Sequence, residues 1–308
     1  MMLPSIRAVI VTYHCGDRLD TIVAALLPQV AGVVVVDNGS DAGTVAALEA
    51  LSARHGAAIT LIRNGDNRGL GAAQNQGIRA ALGQGAQWVL LLDDDSIPEA
   101  TMVAALYAAA QAYRGDRPLG MVAPRYVEQG VDVRSRYVAP RGRFWFVRRQ
   151  LTAGMLADDA VTVIASGSMI SRELFAAIGL MAEGFFIDYV DHDFCLRARA
   201  AGYRIRLVGD AVLRHRQGNK TKRTIAGITL VTANYSPLRR YHIFRNRLFV
   251  LRRHARHTPF LLPYALMTYG FDMLRIVLLE EQRLAKLGAA VRGIAHGLTR
   301  PIPEAPRA

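Results

Sequence analysis

Cysteine is nearly missing from this chain of 308 residues: Cys15 and Cys195 are the whole supply. Two thiols cannot hold a disulfide scaffold, and such sparse use suits a reducing compartment, with the cytoplasm as the expectation. No export leader is expected either. Met1 to Cys15 gives a short β-branched run ending in Thr-Tyr-His, not a basic start followed by an apolar stretch and a small-residue cleavage site. Long apolar runs are few. The richest, Pro259 to Leu279, is broken by Pro263, Gly270, Asp272 and Arg275, which makes it a poor spanning segment but leaves it able to lie along a membrane. Acidic residues are absent between Ala211 and Phe271, where twelve Lys and Arg stand.

What is present is enough apolar matter for a large core. Hydrophobic residues make up 51% and charged residues 20%, which excludes a disordered, collagen-like or coiled-coil chain. The net charge of +13 is unevenly placed, with 8 basic and 11 acidic residues up to Gly120 against 30 and 14 beyond it. The first third alternates β-branched runs with Ala/Leu-rich helical patterns: strands at Arg7 to Thr12, Gly32 to Val36, Ile59 to Arg63 and Trp88 to Leu92, and helices at Leu19 to Gln29, Val45 to His55 and Ala72 to Leu82. That order predicts an α/β fold with a mainly parallel sheet flanked by helices. Ligands bind beyond the carboxyl ends of such strands, where Thr12, Asp37, Asn67 and Asp93 fall. After Gly120 the segment RSRYVAPRGRFWFVRR alternates as a strand or hairpin. It is followed by a strand VTVIAS, helices at Arg172 to Ile178 and Val190 to Ala201, and a strand at Tyr203 to Val208. The Pro-containing end PIPEAP reads as frayed.

Several residues can carry chemistry. Asp93, Asp94 and Asp95 crowd three carboxylates at a strand end, a place for a hard divalent cation, although Asp-Asp-Ser before Pro98 also suits a helix cap. Asp37 can accept from a ribose or base edge, or merely start the Asn-Gly turn. NRGLGAAQNQG offers Gly-x-Gly before a helix, where N–H groups can face an anion. It departs from a dinucleotide fingerprint by having Gln74 at the third glycine and by following the third strand. Asp188, Asp191 and Asp193 enter a helix where one can serve as a general base, while Asp193 is also spaced for a pair with Arg197. His215 stands in a basic setting that keeps imidazole neutral and able to ligate a metal, or sits in a solvated loop.

In order, VIVTYH, VVVVDNGSD, NRGLGAAQNQG, LLLDDDS, ASGSMISRELFAAIG, FFIDYVDHDFCLRARAAGY and LRH resemble the inverting family 2 glycosyltransferases, over Ile6 to about His215. The resemblance implies a GT-A fold, a nucleotide-sugar donor and Mg²⁺ or Mn²⁺. It also implies donor contacts at Thr12, Tyr13, Asp37, Asn67, Asn75 and Asp94, a metal on Asp93, Asp95 and His215, and Asp191 as catalytic base. FFIDYVDHDFCLRARAAGY and SPLRRYHIFRNRLFVLRR look most like bacterial rhamnosyltransferases, which implies dTDP-L-rhamnose as donor and a glycan or lipid-linked acceptor in surface polysaccharide synthesis. A UDP- or GDP-sugar transferase is the alternative. A sugar nucleotidyltransferase would want a Gly-rich basic loop where Thr-Tyr-His-Cys-Gly-Asp stands, and a non-catalytic nucleotide or glycan binder would share the fold.

The expected division is a transferase domain over 1–237, with a nucleotide-sugar half at 1–120 and an acceptor half at 121–237, then a basic helical tail at 238–308. Arg239 to Arg256 can form a helix with Phe244, Leu248 and Leu251 on one side and arginines on the other, suited to anionic lipid. No nucleic-acid-binding motif accompanies the charge, so the expectation is a peripheral protein on the inner face of the bacterial plasma membrane and no nucleic-acid partner.

Overall fold

The computed structural model describes residues 5–15, 18–128, 135–215, 221–225 and 228–308. Four β-branched runs form the parallel side of a central sheet: β1 (Ile6–Thr12), β2 (Gly32–Asp37), β3 (Ile59–Arg63) and β4 (Trp88–Asp93). Helices α1 (Arg18–Leu26), α2 (Ala42–His55) and α3 (Leu70–Gly83) connect them, as the alternation predicts. β1 pairs in parallel with both β2 and β4, in register Thr12 with Asp37 and Val11 with Asp93, so the carboxyl ends of three strands lie side by side.

The sheet continues through elements that the sequence pattern hid. After β5 (Ser96–Pro98) and α4 (Met102–Gln111) come β6 (Leu119–Glu128), the hairpin β7 (Arg136–Arg141) and β8 (Trp145–Gln150), β9 (Leu156–Ala157) and β10 (Met169–Ser171). Helices α5 (Arg172–Ile178) and α6 (Val190–Ala200) then lead to β11 (Arg204–His215). The order is β3-β2-β1-β4-β10-β6-β11-β5, with β9 on β11; β10 runs antiparallel between β4 and β6. Two expectations are corrected here. VTVIAS is not a strand: Val161, Ala165 and Ser166 are buried, and the ladder begins only at Met169. Asp-Asp-Ser caps no helix, because Ser96 starts β5, which pairs with β11.

Side chains alternate across the sheet. Ile6, Ala8 and Ile10 enter a core with α1 and α4, while Val9, Val34 and Val36 enter a second core with α3, α5 and α6. Beyond the hairpin β12 (Thr221–Ile225) and β13 (Ile228–Thr232), helices α7 (Pro237–His254), α8 (Leu261–Leu279) and α9 (Arg283–Thr299) complete the chain. Phe249 and Val250 of α7 belong to the same core as Val9, so packing is continuous across residue 237. The end is not frayed either: the N–H of Leu180 donates to the carbonyl of Pro306 at 2.8 Å, and Arg253 bonds the carbonyl of Pro303.

Candidate active site

The strand ends, α6, α7 and α8 surround a cleft of about 1010 Å³. Thr12, Tyr13, Asn67, Asp93, Asp94, Asp95 and Asp191 line it, so seven of the expected site residues meet in one place. Within it Asp94 is committed to the β1 loop, accepting from Thr12 Oγ1 at 3.1 Å and from the N–H of Tyr13 at 3.2 Å. Burial pushes its carboxyl up against those hydrogen bonds. Asp93 is fixed through its own N–H, which donates to Ser166 Oγ at 3.0 Å, and Ser96 Oγ donates to Asp95 at 3.1 Å. Asn67 Oδ1 accepts from Asn38 and from the N–H of Gly69.

Two expected donor contacts sit elsewhere. Asp37 is 1% exposed, does not line the cleft, and accepts from the N–H groups of Gly39 and Ser40 at 3.3 Å. Its carboxylate closes the turn after β2. Asn75 is wholly buried, and both ends of its amide are taken by Met181 and Glu183 at 2.8 to 2.9 Å. It ties α3 to the loop before α6. The start of α3 is likewise no open anion cradle, since the Leu70 N–H donates to the Phe186 carbonyl at 2.6 Å. Gly69, at φ +87°, is required there because a Cβ would lie 2.6 Å from the Phe186 ring.

Asp191 opens α6. One oxygen accepts from the backbone N–H and Nδ1 of His192, each at 2.8 Å, and the other from the N–H of Ala165 at 3.3 Å. Burial pushes its carboxyl up, but the His192 ring and these N–H groups outweigh it and hold it below the usual range. His192 moves the other way: burial pushes it down, and the Asp191 charge raises it overall. Asp193 turns inward, fully buried, to Arg197, Arg253 and His254, which fulfils the pairing reading of that residue. Asp188 meets Arg239 through two bonds of 3.0 Å.

The loop that delivers Asp191 is strained. Phe186, Asp188 and Tyr189 all have positive φ, 58° to 67°, a conformation that costs about 1–3 kcal/mol each for residues other than glycine. Helix α7 holds it. Asn246 Nδ2 donates to the carbonyls of Phe185, Ile187 and Asp188 at 2.8 to 2.9 Å, and Arg245 donates to those of Gly184 and Phe185. Sequence reasoning missed this role. The signal available was an asparagine flanked by arginines on a helix whose charge has no acidic counterpart nearby in sequence. The expected outward arginine face of α7 is corrected by the same contacts: Arg240, Arg245 and Arg247 are buried, bonded to carboxylates and carbonyls of the protein.

For a divalent cation, Asp93 and Asp95 offer two oxygen donors on the cleft wall. Among the described residues no cluster of three His, Cys, Asp or Glu could hold an ion. The backbone of His215 pairs with Ser96, which sets position 215 beside Asp95's neighbour; its side chain lies outside the described residues. Hard ions take oxygen ligands and draw several from substrate phosphates, so this donor set fits Mg²⁺ or Mn²⁺ held jointly with a diphosphate.

The profile described as glycosyl transferase family 2 matches residues 8–179. Its span takes in the strand ends that carry Thr12, Asn67 and Asp93. The chain belongs to glycosyl transferase family 2. It is 32% identical over 85% of its length to the dTDP-rhamnosyl transferase RfbF of Shigella flexneri, covering 84% of that protein. It is 29% identical to the galactofuranosyltransferase GlfT1 of Mycobacterium tuberculosis, over 81% of this chain and 83% of that one. Among solved structures, S. aureus TarS 1-349 superposes with a TM-score of 0.59 at 15% identity, over 96% of this chain and 81% of that one. GalNAc-T7 with UDP, GalNAc and Mn²⁺ gives 0.57 at 16%, over 81% and 48%. The architecture is the GT-A glycosyltransferase fold, and the protein is a glycosyltransferase.

Proposed function

We propose that this glycosyltransferase moves L-rhamnose from dTDP-L-rhamnose, with inversion, to a hydroxyl group of a glycan or lipid-linked acceptor in bacterial surface polysaccharide synthesis. The observation that carries the reading is one cleft in which Asp191, ionised and accessible, shares the walls with Asp93, Asp94 and Asp95, in a chain 32% identical to a dTDP-rhamnosyl transferase. Thr12, Tyr13 and Asn67 face the nucleoside side, with Asp37 and Asp94 bracing the turns behind them. Asp93, Asp95 and His215 would hold Mg²⁺ or Mn²⁺, which when bound offsets charge on the departing diphosphate. Asp191 takes the proton of the acceptor hydroxyl as its oxygen attacks the anomeric carbon, and the nucleoside diphosphate leaves from the opposite face.

The test is nucleoside-diphosphate release from dTDP-rhamnose, UDP-glucose, UDP-galactose, UDP-galactofuranose and GDP-mannose with a lipid-linked acceptor, with and without excess EDTA. Preference for dTDP-rhamnose, abolished by EDTA and restored by Mg²⁺ or Mn²⁺, is expected. Preference for a UDP-sugar would make the second reading, favoured by the likeness to GlfT1, the better one. Full activity in EDTA would remove the metal.

The same reading places the enzyme on the inner, anionic face of the plasma membrane. Its support is α8, which by length and composition alone could cross a bilayer and which exposes Leu262, Leu266, Phe271, Leu274 and Val277. Its other side is tied to the body by Asp272, which makes it a surface helix.

A further inference from the structure

A group of charges, most of them buried, lies where α7 and α8 form the cleft wall, and glycosyl transfer as set out above does not use it. Arg240 and Arg247 on α7 and Arg275 on α8 share the single carboxylate of Asp272. Arg240 and Lys286 in turn share Glu280. Four cations thus meet two carboxylates. Arg240 and Arg247 are 2% and 5% exposed, and burial of an unbalanced charge is costly without a further partner.

The hydrogen bonds are incomplete in the same place. Arg247 Nε donates to Tyr189 Oη at 2.7 Å and one terminal nitrogen bonds Asp272, but its Nη1 is buried with no acceptor among the described residues. The Tyr269 ring, 4.4 Å from the guanidinium carbon, steadies the charge without supplying an oxygen. Arg275 Nε is likewise buried with no acceptor among the described residues. A guanidinium cannot shed its proton to relieve this, and an anion is the partner that would supply the missing acceptor and the missing negative charge together.

We propose that Arg240, Arg247 and Arg275 form an anion subsite on the acceptor side of the cleft, shaped for a phosphoryl group carried by the acceptor; this rests on the glycosyl-transfer reading above. The side follows from Asp191. In an in-line displacement the base and the leaving diphosphate lie on opposite sides of the anomeric carbon. Arg247 is held by Tyr189, two residues before Asp191, and the Tyr189 ring lies 5.2 Å from that of His192, which bonds Asp191. A group beside the base meets the acceptor. The chemistry follows from the donors: planar forks match phosphate oxygens, and a phosphoryl group of about −1.5 to −2 charge balances the surplus.

The experiment is calorimetric titration of inorganic pyrophosphate into the full chain in EDTA, which removes metal-assisted binding at Asp93 and Asp95. Alongside it, dTDP is titrated with Mg²⁺. Wild-type protein should bind pyrophosphate, Arg275→Gln should weaken that binding about tenfold or more through the lost charge-assisted bonds, and Arg275→Lys should recover part of it. Asp95→Ala should leave it unchanged, and Arg275→Gln should change dTDP affinity less than twofold. Arg275 is partly exposed, and the circular dichroism melt of each variant confirms folding. No pyrophosphate binding by wild type, or equal binding by Arg275→Gln, overturns the subsite. Equal loss of pyrophosphate and dTDP binding in Arg275→Gln also overturns it, by assigning these arginines to the donor. Failure of wild type to bind dTDP while the pyrophosphate results hold would sink the donor reading and leave the anion subsite standing.

Discussion

At the scale of single residues, the carboxylates were legible and their duties only partly so. Asp93, Asp95 and Asp191 reach one cleft because Asp93 ends a strand, Asp95 lies in the turn just after it, and Asp191 opens a helix at the sheet's ligand edge. Asp37 and Asn75 do not, and nothing in their local sequence separates a side chain that faces a ligand from one that closes a turn or a loop. For Asn75 that choice is made by partners distant in sequence, Met181 and Glu183, and for Asp37 by the N–H groups of Gly39 and Ser40 in the turn it starts. Asp191→Asn should lower turnover by about 10²- to 10⁴-fold, the range for loss of a positioned base, with donor affinity nearly intact. Steady-state transfer and donor titration check this, and near-normal turnover would move the base role to another carboxylate. A second prediction concerns His242, which stacks on Phe186 at 5.0 Å. Burial first, and Arg245 second, pull its pKa down from 6.5 to about 4. The unfolded chain therefore binds the proton more readily, so stability is full above pH 6.5 and falls as pH drops toward 4. At about 1.36 kcal/mol per unit the loss is roughly 3 kcal/mol. Urea unfolding from pH 7 to 4 should show it, and His242→Phe, which keeps a ring on Phe186, should flatten that slope. An unchanged slope would dismiss His242 as its source.

At the scale of elements, strong periodicity carried the first four strands and the three helices between them to within a few residues, since buried parallel strands are continuous β-branched runs. VTVIAS has the same composition and is no strand. It is buried as a loop whose Ala165 and Ser166 hold Asp191 and Asp93, so burial without pairing imitates a strand signal. Helix α7 was legible as a helix, with Ser236 as its cap and Pro237 at its start. Its role was not legible, because an arginine in a sequence does not announce whether a carboxylate or a lipid will face it. Asn246 gives α7 its largest consequence, one amide nitrogen serving three carbonyls of a strained loop. Asn246→Ala strips those buried acceptors, each worth about 1–3 kcal/mol when left unbonded. We expect destabilisation of about 2–4 kcal/mol, and a fall in kcat that exceeds any rise in donor KM, because Asp191 loses its placement while the strand-end contacts remain. Denaturant unfolding and steady-state kinetics together check it. A stable variant with a normal kcat would show that the loop holds itself.

At the scale of the whole molecule, the charge asymmetry looked like a lipid-binding tail, and the fold redistributes it. The arginines of α7 are largely turned inward, so the electrostatic part of any membrane contact falls to other groups. The tip of the β7–β8 hairpin would supply them, with exposed Arg141 and Arg143 beside exposed Phe144 and Trp145. Phe146 packs on Phe260 and, edge to face at 5.1 Å, on Tyr264, which sets that tip next to the first turns of α8. Aromatic and apolar side chains therefore outnumber free charges on this face, and the balance decides the expected salt response. Each basic residue near an anionic surface contributes about 1 kcal/mol and is screened beyond a Debye length of about 8 Å at physiological salt, whereas apolar insertion is not screened. The intact protein should sediment with anionic liposomes, and most of it should stay bound when ionic strength is raised. Leu262→Asp with Leu266→Asp, both on the exposed side of α8 and clear of Asp272, should abolish sedimentation while leaving the thermal melt unchanged. Deleting residues from Leu238 onward is the wrong control, because it removes Asn246 and the core residues Phe249 and Val250 and should unfold the catalytic half as well. Complete release by salt would return the weight to arginines, and no binding at low salt would make the apolar face of α8 a surface for another protein.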